Sequence, residues 1–283
     1  MNYEQDLEKL IKNALAEDIG DGDHSSICCI PPASEGSAVL KIKQDGILAG
    51  VNVAEKIFRF TEPTIKFTAS KKDGDEMVFG ETAFKVTGKV HTILKCERLV
   101  LNTMQRMSGI ATLTAKYVQR LQGYKTKLLD TRKTTPNFRL LEKEAVKIGG
   151  GENHRFGLYD MIMLKDNHIE YSGGIEKAIN NAYEYVQQNH FDLKIEVETR
   201  NLEDVKKVIA VGKVDRIMLD NFTPELITEA LRIIDGKVET EASGGINYEN
   251  IERYAATGVD YISSGAVIHQ AVSLDLSLKA IPL

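Results

Sequence analysis

Six short apolar segments alternate with amphipathic helix patterns between about residue 126 and residue 265, and this alternation limits the possible folds more than any other feature. The segments read TKLLDT, YDMIML, LKIEVET, DRIMLDN, VETEASG and VDYISSG. Successive β and α units of this length favour a parallel sheet with right-handed crossovers. The predicted fold class is therefore α/β, with a C-terminal open or partial parallel β/α barrel of about six strands, smaller than the standard barrel of eight.

The preceding part of the chain has a different pattern. After an amphipathic N-terminal helix, short β-like runs are separated by turns at Asp45-Gly46, Asp73-Gly74 and Thr87-Gly88. We predict an N-terminal α+β sandwich domain over residues 1–108, with no catalytic constellation of its own. The barrel domain is predicted over residues 109–283, and its last residues are expected to pack back on the N-terminal domain.

Composition excludes several classes of partner. A net charge of −5 gives no global attraction to nucleic acid or to an acidic membrane. No apolar run approaches the roughly 20 residues that a membrane span requires, and the acidic N-terminus does not resemble a signal peptide. The three cysteines, Cys28, Cys29 and Cys96, fit neither a disulfide framework nor a zinc site. We expect reduced, buried thiols in a cytoplasmic protein.

Polar residues follow the predicted strands one after another. The carboxyl ends of parallel barrel strands carry the active site in this architecture, because the βα loops converge there. Burying a charge without a partner costs several kcal/mol, so a series of charged strand ends indicates a site. The residues at these ends are Arg132, Lys133, Lys165, Glu198, Asp220, the Ser243-Gly244-Gly245 turn and the Ser264-Gly265 turn.

Positive charge concentrates at this face although the chain is negative as a whole. Arg132, Lys133, His154, Arg155 and Lys165 supply up to five cationic groups. Arginine binds carboxylate and phosphate through bidentate contacts, and lysine acts as a point charge. Any one of these residues alone is best explained as a surface ion pair. Together they predict a small, strongly anionic ligand.

The two glycine turns predict a phosphate site. We expect Ser243-Gly244-Gly245 and Ser264-Gly265 each to open a helix. Glycine allows close approach of the backbone to a phosphate, and helix N-termini offer free N–H groups. Turns after the last two strands of a barrel form a recurrent phosphate-binding site.

Two carboxylates are expected to face each other across the same opening. Glu198 and Asp220 end neighbouring strands and can bind sugar hydroxyls, hold hydrated magnesium or act as an acid/base pair. They can equally serve only to neutralise Lys133 and Lys165. Glu196 lies two residues before Glu198, so we expect it on the same side of the strand but deeper, in a supporting role.

Long stretches of the chain resemble the quinolinate phosphoribosyltransferase family, whose members are also called carboxylating nicotinate-nucleotide pyrophosphorylases. The resemblance covers nearly the whole chain, and its most specific parts are DTRKT, GGGENHR and LKDNH. It implies transfer of phosphoribosyl from phosphoribosyl pyrophosphate to quinolinate, with decarboxylation, in de novo NAD biosynthesis. It also implies Mg²⁺ as cofactor, no organic cofactor, and a homodimer with a shared active site that can assemble into a higher oligomer.

The resemblance also implies residue roles, carried over at matching positions. Arg132, His154, Arg155 and Lys165 would hold the two quinolinate carboxylates, with Arg98 contributed by the N-terminal domain of the partner subunit. Glu198 and Asp220 would lie near the ribose and would hold the metal through water or substrate. They would be catalytic together with Lys133 and Lys165. The remaining substrate-binding positions, mostly phosphate contacts, are Thr131, Lys133, Ser243, Gly244, Gly245, Ser264, Gly265 and Ala266.

Three other interpretations of the residues remain open. A lysine at a barrel strand end, here Lys165, can form a Schiff base in an aldolase-like enzyme, although its charged neighbours argue against the apolar setting that this requires. A sugar-phosphate-binding barrel without enzymatic activity would leave Arg132 and Arg155 unexplained. A related phosphoribosyltransferase acting on another acidic heterocycle is the nearest alternative.

Overall fold

The structure is a computed structural model that describes residues 2–281. Its first half contains four helices and five strands within the described residues. They are α1 (Tyr3–Ile19), α2 (His24–Cys29), β1 (Glu35–Ile42), β2 (Gly46–Ile47), α3 (Val51–Thr61), β3 (Lys66–Ala69), β4 (Glu76–Met77), β5 (Thr82–Lys89) and α4 (Val90–Arg120).

The second half alternates strands and helices, as the sequence predicts. Its elements are β6 (Lys127–Leu129), α5 (Arg139–Ile148), β7 (Ile162–Leu164), α6 (Asp166–Ser172), α7 (Ile175–Gln188), β8 (Ile195–Thr199), α8 (Leu202–Val211), β9 (Arg216–Asp220), α9 (Pro224–Ile234), β10 (Glu239–Ser243), α10 (Ile251–Ala255), β11 (Tyr261–Ser263), α11 (Ala266–His269) and β12 (Leu276–Ile281).

Contacts divide the chain into two compact units. The first contains the chain up to residue 115, residues 134–150 and the chain from residue 267. Its four-stranded antiparallel sheet has the order β12-β1-β5-β3, and β2 pairs with β4. Phe58, Phe67 and Phe84 pack together in its core. The chain thus returns to this sheet at β12, while the predicted domain boundary after residue 108 stays a prediction.

The second unit, residues 116–133 and 151–266, contains the parallel sheet. Its strand order is β6-β11-β10-β9-β8-β7. Strands β7 to β11 therefore lie in sequence order, and β6 pairs with β11. The strands β6 and β7 form the two edges of the sheet. A single bridge from Leu129 to Glu152 continues the pairing beyond β6. The predicted fold class is confirmed: a partly open six-stranded β/α barrel that follows an N-terminal domain with an antiparallel sheet in the chain.

Strand register decides which charged side chains meet inside this barrel. In the sheet, Arg216 on β9 lies opposite Glu196 on β8 and opposite Glu239 on β10. Side chains alternate between the two faces of a strand, so Glu241 follows Glu239 on the same face. All five residues of β8 are buried, and their carboxylates therefore require partners.

Two local expectations were wrong. Helix α10 begins at Ile251, so Gly244 and Gly245 lie in a loop instead of opening a helix. Cys28 and Cys29 are exposed, and only Cys96 is buried. Among residues 2–281, no helix is both long and apolar enough to cross a bilayer.

Candidate active site

A lysine and two carboxylates meet at the ends of β7, β8 and β9. Lys165 Nζ lies 2.7 Å from Glu198 Oε2, and Glu198 is nearly buried. Asp220 ends the neighbouring strand. Burial, and then the negative charge of Glu198, raise the pKa of Asp220, whereas Lys165 lowers it. The predicted meeting of the two carboxylates is therefore present, and Lys165 neutralises part of their charge.

Two arginines lie close together on the segments that follow β6. Burial, and then the positive charge of Arg132, lower the pKa of the Arg155 guanidinium. Arg155 is held in place by a hydrogen bond from Nη1 to the Met161 carbonyl, at 3.2 Å. Two guanidinium groups brought together in this way repel each other, and an anion with several charges would relieve that repulsion.

The His154 side chain lies inside the barrel, against two buried glutamates. Its Nε2 is 2.9 Å from Glu196 Oε2 and 3.3 Å from Glu241 Oε2, and both glutamates are completely buried. Its Nδ1 accepts the backbone N–H of Arg155 at 2.7 Å. Burial opposes a charge on His154, and the carboxylates outweigh it and raise its pKa. A second ring proton on Nδ1 would, however, point at the Arg155 N–H, so we assign the neutral ring with its proton on Nε2.

Arg216 partly balances the charges of the buried Glu196 and Glu241. Burial, and then the proximity of Glu241, raise the pKa of Glu196 to about 7. Arg216 Nη1 lies 3.1 Å from Glu241 Oε2 and its Nη2 lies 3.0 Å from Glu239 Oε2. His154, Glu196 and Glu241 are close enough to ligate a cation, but Arg216 already supplies the positive charge there.

Asp130, just after β6, holds the segment that carries His154 and Arg155. Its carboxylate is fully buried, accepts the backbone N–H of His154 at 2.8 Å and accepts Asn153 Nδ2 at 2.7 Å. A carboxylate that accepts several N–H groups is a strong local anchor. This places the 153–155 segment beside the open edge of the sheet.

The two serine-glycine turns follow β10 and β11, as predicted. Gly244 has φ +91, and a Cβ there would lie 2.3 Å from Asn221 Oδ1. Asn221 donates its backbone N–H to the Ser243 carbonyl at 2.8 Å. In the second turn, Ser264 Oγ donates to the Ile246 carbonyl at 2.9 Å, which ties the two turns together. Gly265 and Ala266 continue from that serine, and Ala266 begins α11.

The remaining predicted residues lie in exposed positions. Lys133 is exposed, and its backbone N–H donates to Thr131 Oγ1 at 3.1 Å. Arg132 is also exposed. Arg98 is exposed on α4 in the first unit. Arg98 is therefore a surface residue of the first unit.

A cavity of about 920 Å³ lies at the other end of the sheet. Lys127, Glu239 and Tyr261, which begin β6, β10 and β11, are among its lining residues. The catalytic end of a parallel β/α barrel is the carboxyl end of its strands. We therefore place the active site at the strand ends described above and not in this cavity.

Sequence reasoning missed Glu241, Arg216 and Asp130. A signal for Glu241 was present, because period-two alternation in VETEAS places it on the same face as Ser243. Arg216 and Asp130 gave no such signal. Their partners are 23 or more positions away in sequence, so only the register of the folded strands identifies them.

Two family models together match most of this chain. The quinolinate phosphoribosyl transferase N-terminal domain matches residues 23–108, and the C-terminal domain of the same family matches residues 110–279. The chain belongs to the quinolinate phosphoribosyltransferase family. The predicted family and enzyme class, a pentosyltransferase of pyridine nucleotide biosynthesis, are confirmed.

Curated relatives and solved structures agree with this family. Quinolinate phosphoribosyltransferase [decarboxylating] 1 of Nicotiana glauca is 45% identical over 97% of this chain and 82% of its own length. A probable nicotinate-nucleotide pyrophosphorylase [carboxylating] of Bacillus subtilis is 42% identical over 98% of this chain and 94% of its own length. The crystal structure of NadC from Streptococcus pyogenes superposes with a TM-score of 0.91, at 40% identity, and covers 100% of this chain and 99% of its own.

The surroundings of Lys165 argue against the aldolase-like interpretation. Lys165 is paired with Glu198 at 2.7 Å, so it lacks the apolar surroundings of a Schiff-base lysine. The aldolase-like interpretation is not supported by this geometry.

Proposed function

We propose that this chain transfers the phosphoribosyl group of phosphoribosyl pyrophosphate to quinolinate, with loss of carbon dioxide, and releases nicotinate mononucleotide and pyrophosphate. The observation that carries the proposal is the proximity of Arg132 to the partly buried Arg155, in a barrel whose strand ends also hold the Lys165–Glu198 ion pair. A pyridine with two adjacent carboxylates supplies two negative charges, and these match two guanidinium groups and an ammonium group.

We assign the binding of quinolinate to Arg132, Arg155 and Lys165. Arg155 is partly buried and is held by the Met161 carbonyl, so little side-chain entropy is lost when it binds a carboxylate. Direct contact of His154 with a carboxylate is the part of the predicted set that the geometry does not favour, because both of its ring nitrogens have partners within the protein.

We assign the binding of phosphoribosyl pyrophosphate to the two serine-glycine turns and to the Glu198–Asp220 pair. Gly244 holds a positive φ that permits close approach of the backbone to a phosphate. Glu198 and Asp220 suit Mg²⁺ because they are neighbouring oxygen donors. Burial, and then the charge of Glu198, raise the pKa of Asp220, and a bound cation would favour the charged form of both carboxylates. When bound with the pyrophosphate, Mg²⁺ would neutralise the growing negative charge of the leaving group.

The chemistry requires electrostatic stabilisation and no covalent enzyme intermediate. Loss of pyrophosphate leaves positive charge on the ribose ring, which Glu198 and Asp220 stabilise from the ends of β8 and β9. Lys133 and Lys165 balance the phosphate and carboxylate charges. After ribosylation the pyridine nitrogen is positive, so departure of the adjacent carboxylate as carbon dioxide leaves a stabilised carbanion. Positioning of the two substrates supplies much of the remaining rate enhancement.

A direct assay tests this function. The protein is incubated with Mg²⁺, phosphoribosyl pyrophosphate and quinolinate labelled in the carboxyl group next to the nitrogen. We expect labelled carbon dioxide, pyrophosphate and nicotinate mononucleotide in equal amounts. Nicotinate in place of quinolinate should not be used, because it lacks one of the two carboxylates. Turnover of nicotinate at a comparable rate, or release of pyrophosphate without carbon dioxide, would contradict the proposal.

The quaternary structure and location are further proposals. We infer a homodimer, which can assemble into a higher oligomer, in which Arg98, exposed on α4, reaches the active site of the partner subunit. Arg98→Glu should then raise the KM for quinolinate without lowering the Tm. We place the protein in the cytoplasm, in keeping with its free cysteines. Recovery of the activity in a membrane or organelle fraction would contradict this location.

A further inference from the structure

We propose that Glu196 and Glu241 are positioning residues that clamp the His154 imidazole and thereby fix Arg155 for quinolinate. This inference rests on the proposed function for the identity of the ligand. It assigns His154 an indirect part in recognition, in place of direct contact with a carboxylate.

The geometry of the clamp comes from three strands. Glu196 is on β8 and Glu241 is on β10, and their Oε2 atoms lie 2.9 Å and 3.3 Å from His154 Nε2. Arg216, on β9 between them, lies 3.1 Å from Glu241 Oε2. Two buried carboxylates from separate strands thus approach one ring nitrogen, and Arg216 pairs with one of these carboxylates. An isolated buried carboxylate would be costly in this position, so the arrangement holds only when all members are present.

The second ring nitrogen transmits the position of the ring to Arg155. His154 Nδ1 accepts the Arg155 N–H at 2.7 Å, and Asp130 accepts the His154 N–H at 2.8 Å. The backbone on both sides of His154 is therefore tied down, by β6 on one side and by the imidazole on the other. This matters because β6 and β7 are the edges of the open sheet, where strand pairing alone does not fix the segment.

A matched control is built into the same strand. Glu239 lies two residues before Glu241 on β10, and its Oε2 also accepts from Arg216, at 3.0 Å. Glu239 and Glu196 both lie opposite Arg216 in the sheet register. Glu239 is partly exposed, and its carboxylate pairs with Arg216 and Lys194. Removal of the Glu239 charge therefore weakens its ion pair with Arg216 and leaves the two carboxylates next to His154 in place.

The kinetic test compares three isosteric variants. Glu196→Gln and Glu241→Gln should each raise the KM for quinolinate about tenfold, the effect of losing one charge-assisted hydrogen bond. The KM for phosphoribosyl pyrophosphate should stay within about twofold of wild type, a change of under 0.5 kcal/mol. Glu239→Gln should leave both constants within the same range. Unchanged quinolinate KM in both variants overturns the proposal, and so does an equal change for the two substrates or an equal effect of Glu239→Gln.

A spectroscopic test on the wild-type protein needs no activity, and it uses a variant only to assign the His154 signal. The wild-type protein is labelled with ¹⁵N-histidine, and its six histidines are observed without substrate. We expect His154, identified by its loss in His154→Gln, to show an unprotonated Nδ1 and a slowly exchanging proton on Nε2. A proton on Nδ1, or rapid exchange of the Nε2 proton, overturns the clamp.

The two tests separate this inference from the proposed function. If the wild type does not turn over quinolinate but shows the protected Nε2 proton, the proposed function fails and the clamp stands. If quinolinate is turned over and the proton is absent or lies on Nδ1, the function stands and the clamp fails.

Discussion

Replacement of Gly244 by alanine perturbs the turn after β10 in two separable ways. Gly244 has φ +91, and an added Cβ would lie 2.3 Å from Asn221 Oδ1 and 2.8 Å from the Asn221 backbone nitrogen. The side-chain oxygen can rotate away. The backbone nitrogen cannot move freely, because it donates to the Ser243 carbonyl at 2.8 Å. The neighbouring Gly245 has φ +64, and no atom lies within 4 Å of a Cβ added there. Alanine at Gly245 therefore has only the cost of the left-handed backbone, without a steric contact.

The magnitudes follow from these two contributions. A left-handed backbone costs a residue with a side chain about 1–2 kcal/mol, and overpacking against a fixed neighbour costs about 1–3 kcal/mol more. Gly245→Ala should lower the free energy of unfolding by the first amount only. Gly244→Ala should lower it by about 2–5 kcal/mol, the sum of both. It should also raise the KM for phosphoribosyl pyrophosphate at least about tenfold, because Asn221 must shift and Asp220 is its neighbour.

The assay combines urea unfolding with initial-rate kinetics on both variants. Urea midpoints and slopes give the free energies of unfolding, and the two KM values separate the substrates. The reasoning is refuted if Gly244→Ala and Gly245→Ala lose the same stability, since the contact with Asn221 would then have no cost. It is also refuted if Gly244→Ala binds phosphoribosyl pyrophosphate as well as the wild type does.

Three further changes have expected outcomes. Arg132→Ala should lower kcat/KM for quinolinate at least about a hundredfold, the loss of a charge-assisted bidentate contact, and normal steady-state activity would refute its role. Mixing inactive Arg98→Ala with inactive Lys165→Ala under subunit exchange should restore part of the activity; no recovery despite exchange detected by mass spectrometry would argue against a shared site. Glu142→Ala should lower the free energy of unfolding by about 3–5 kcal/mol in urea titrations, because it leaves the half-buried Arg106 without its buried partner, and a loss below about 1 kcal/mol would contradict this.

The six strands of the parallel sheet were predictable because their apolar runs and the helices between them are local patterns. Each predicted segment contains its observed strand, from β6 at Lys127–Leu129 to β11 at Tyr261–Ser263. The polar strand ends were predictable for the same reason, and Glu198 and Asp220 lie together as expected. The start of α10 was not, because the predicted helix after Gly245 begins only at Ile251, beyond a loop held by Asn247 and Asn250.

The amino-acid order by itself determined the α/β alternation, the charged strand ends and the two glycine turns, since each depends on residues close together in the chain. The folded structure decided which distant side chains pair. Glu196 and Glu241 meet His154, and Arg216 pairs with Glu241, because the register of β8, β9 and β10 places these three side chains side by side. Register is set by packing of the entire sheet, and no local pattern records it. The direction in which His154 points, and hence its part in recognition, was therefore settled only by the tertiary structure.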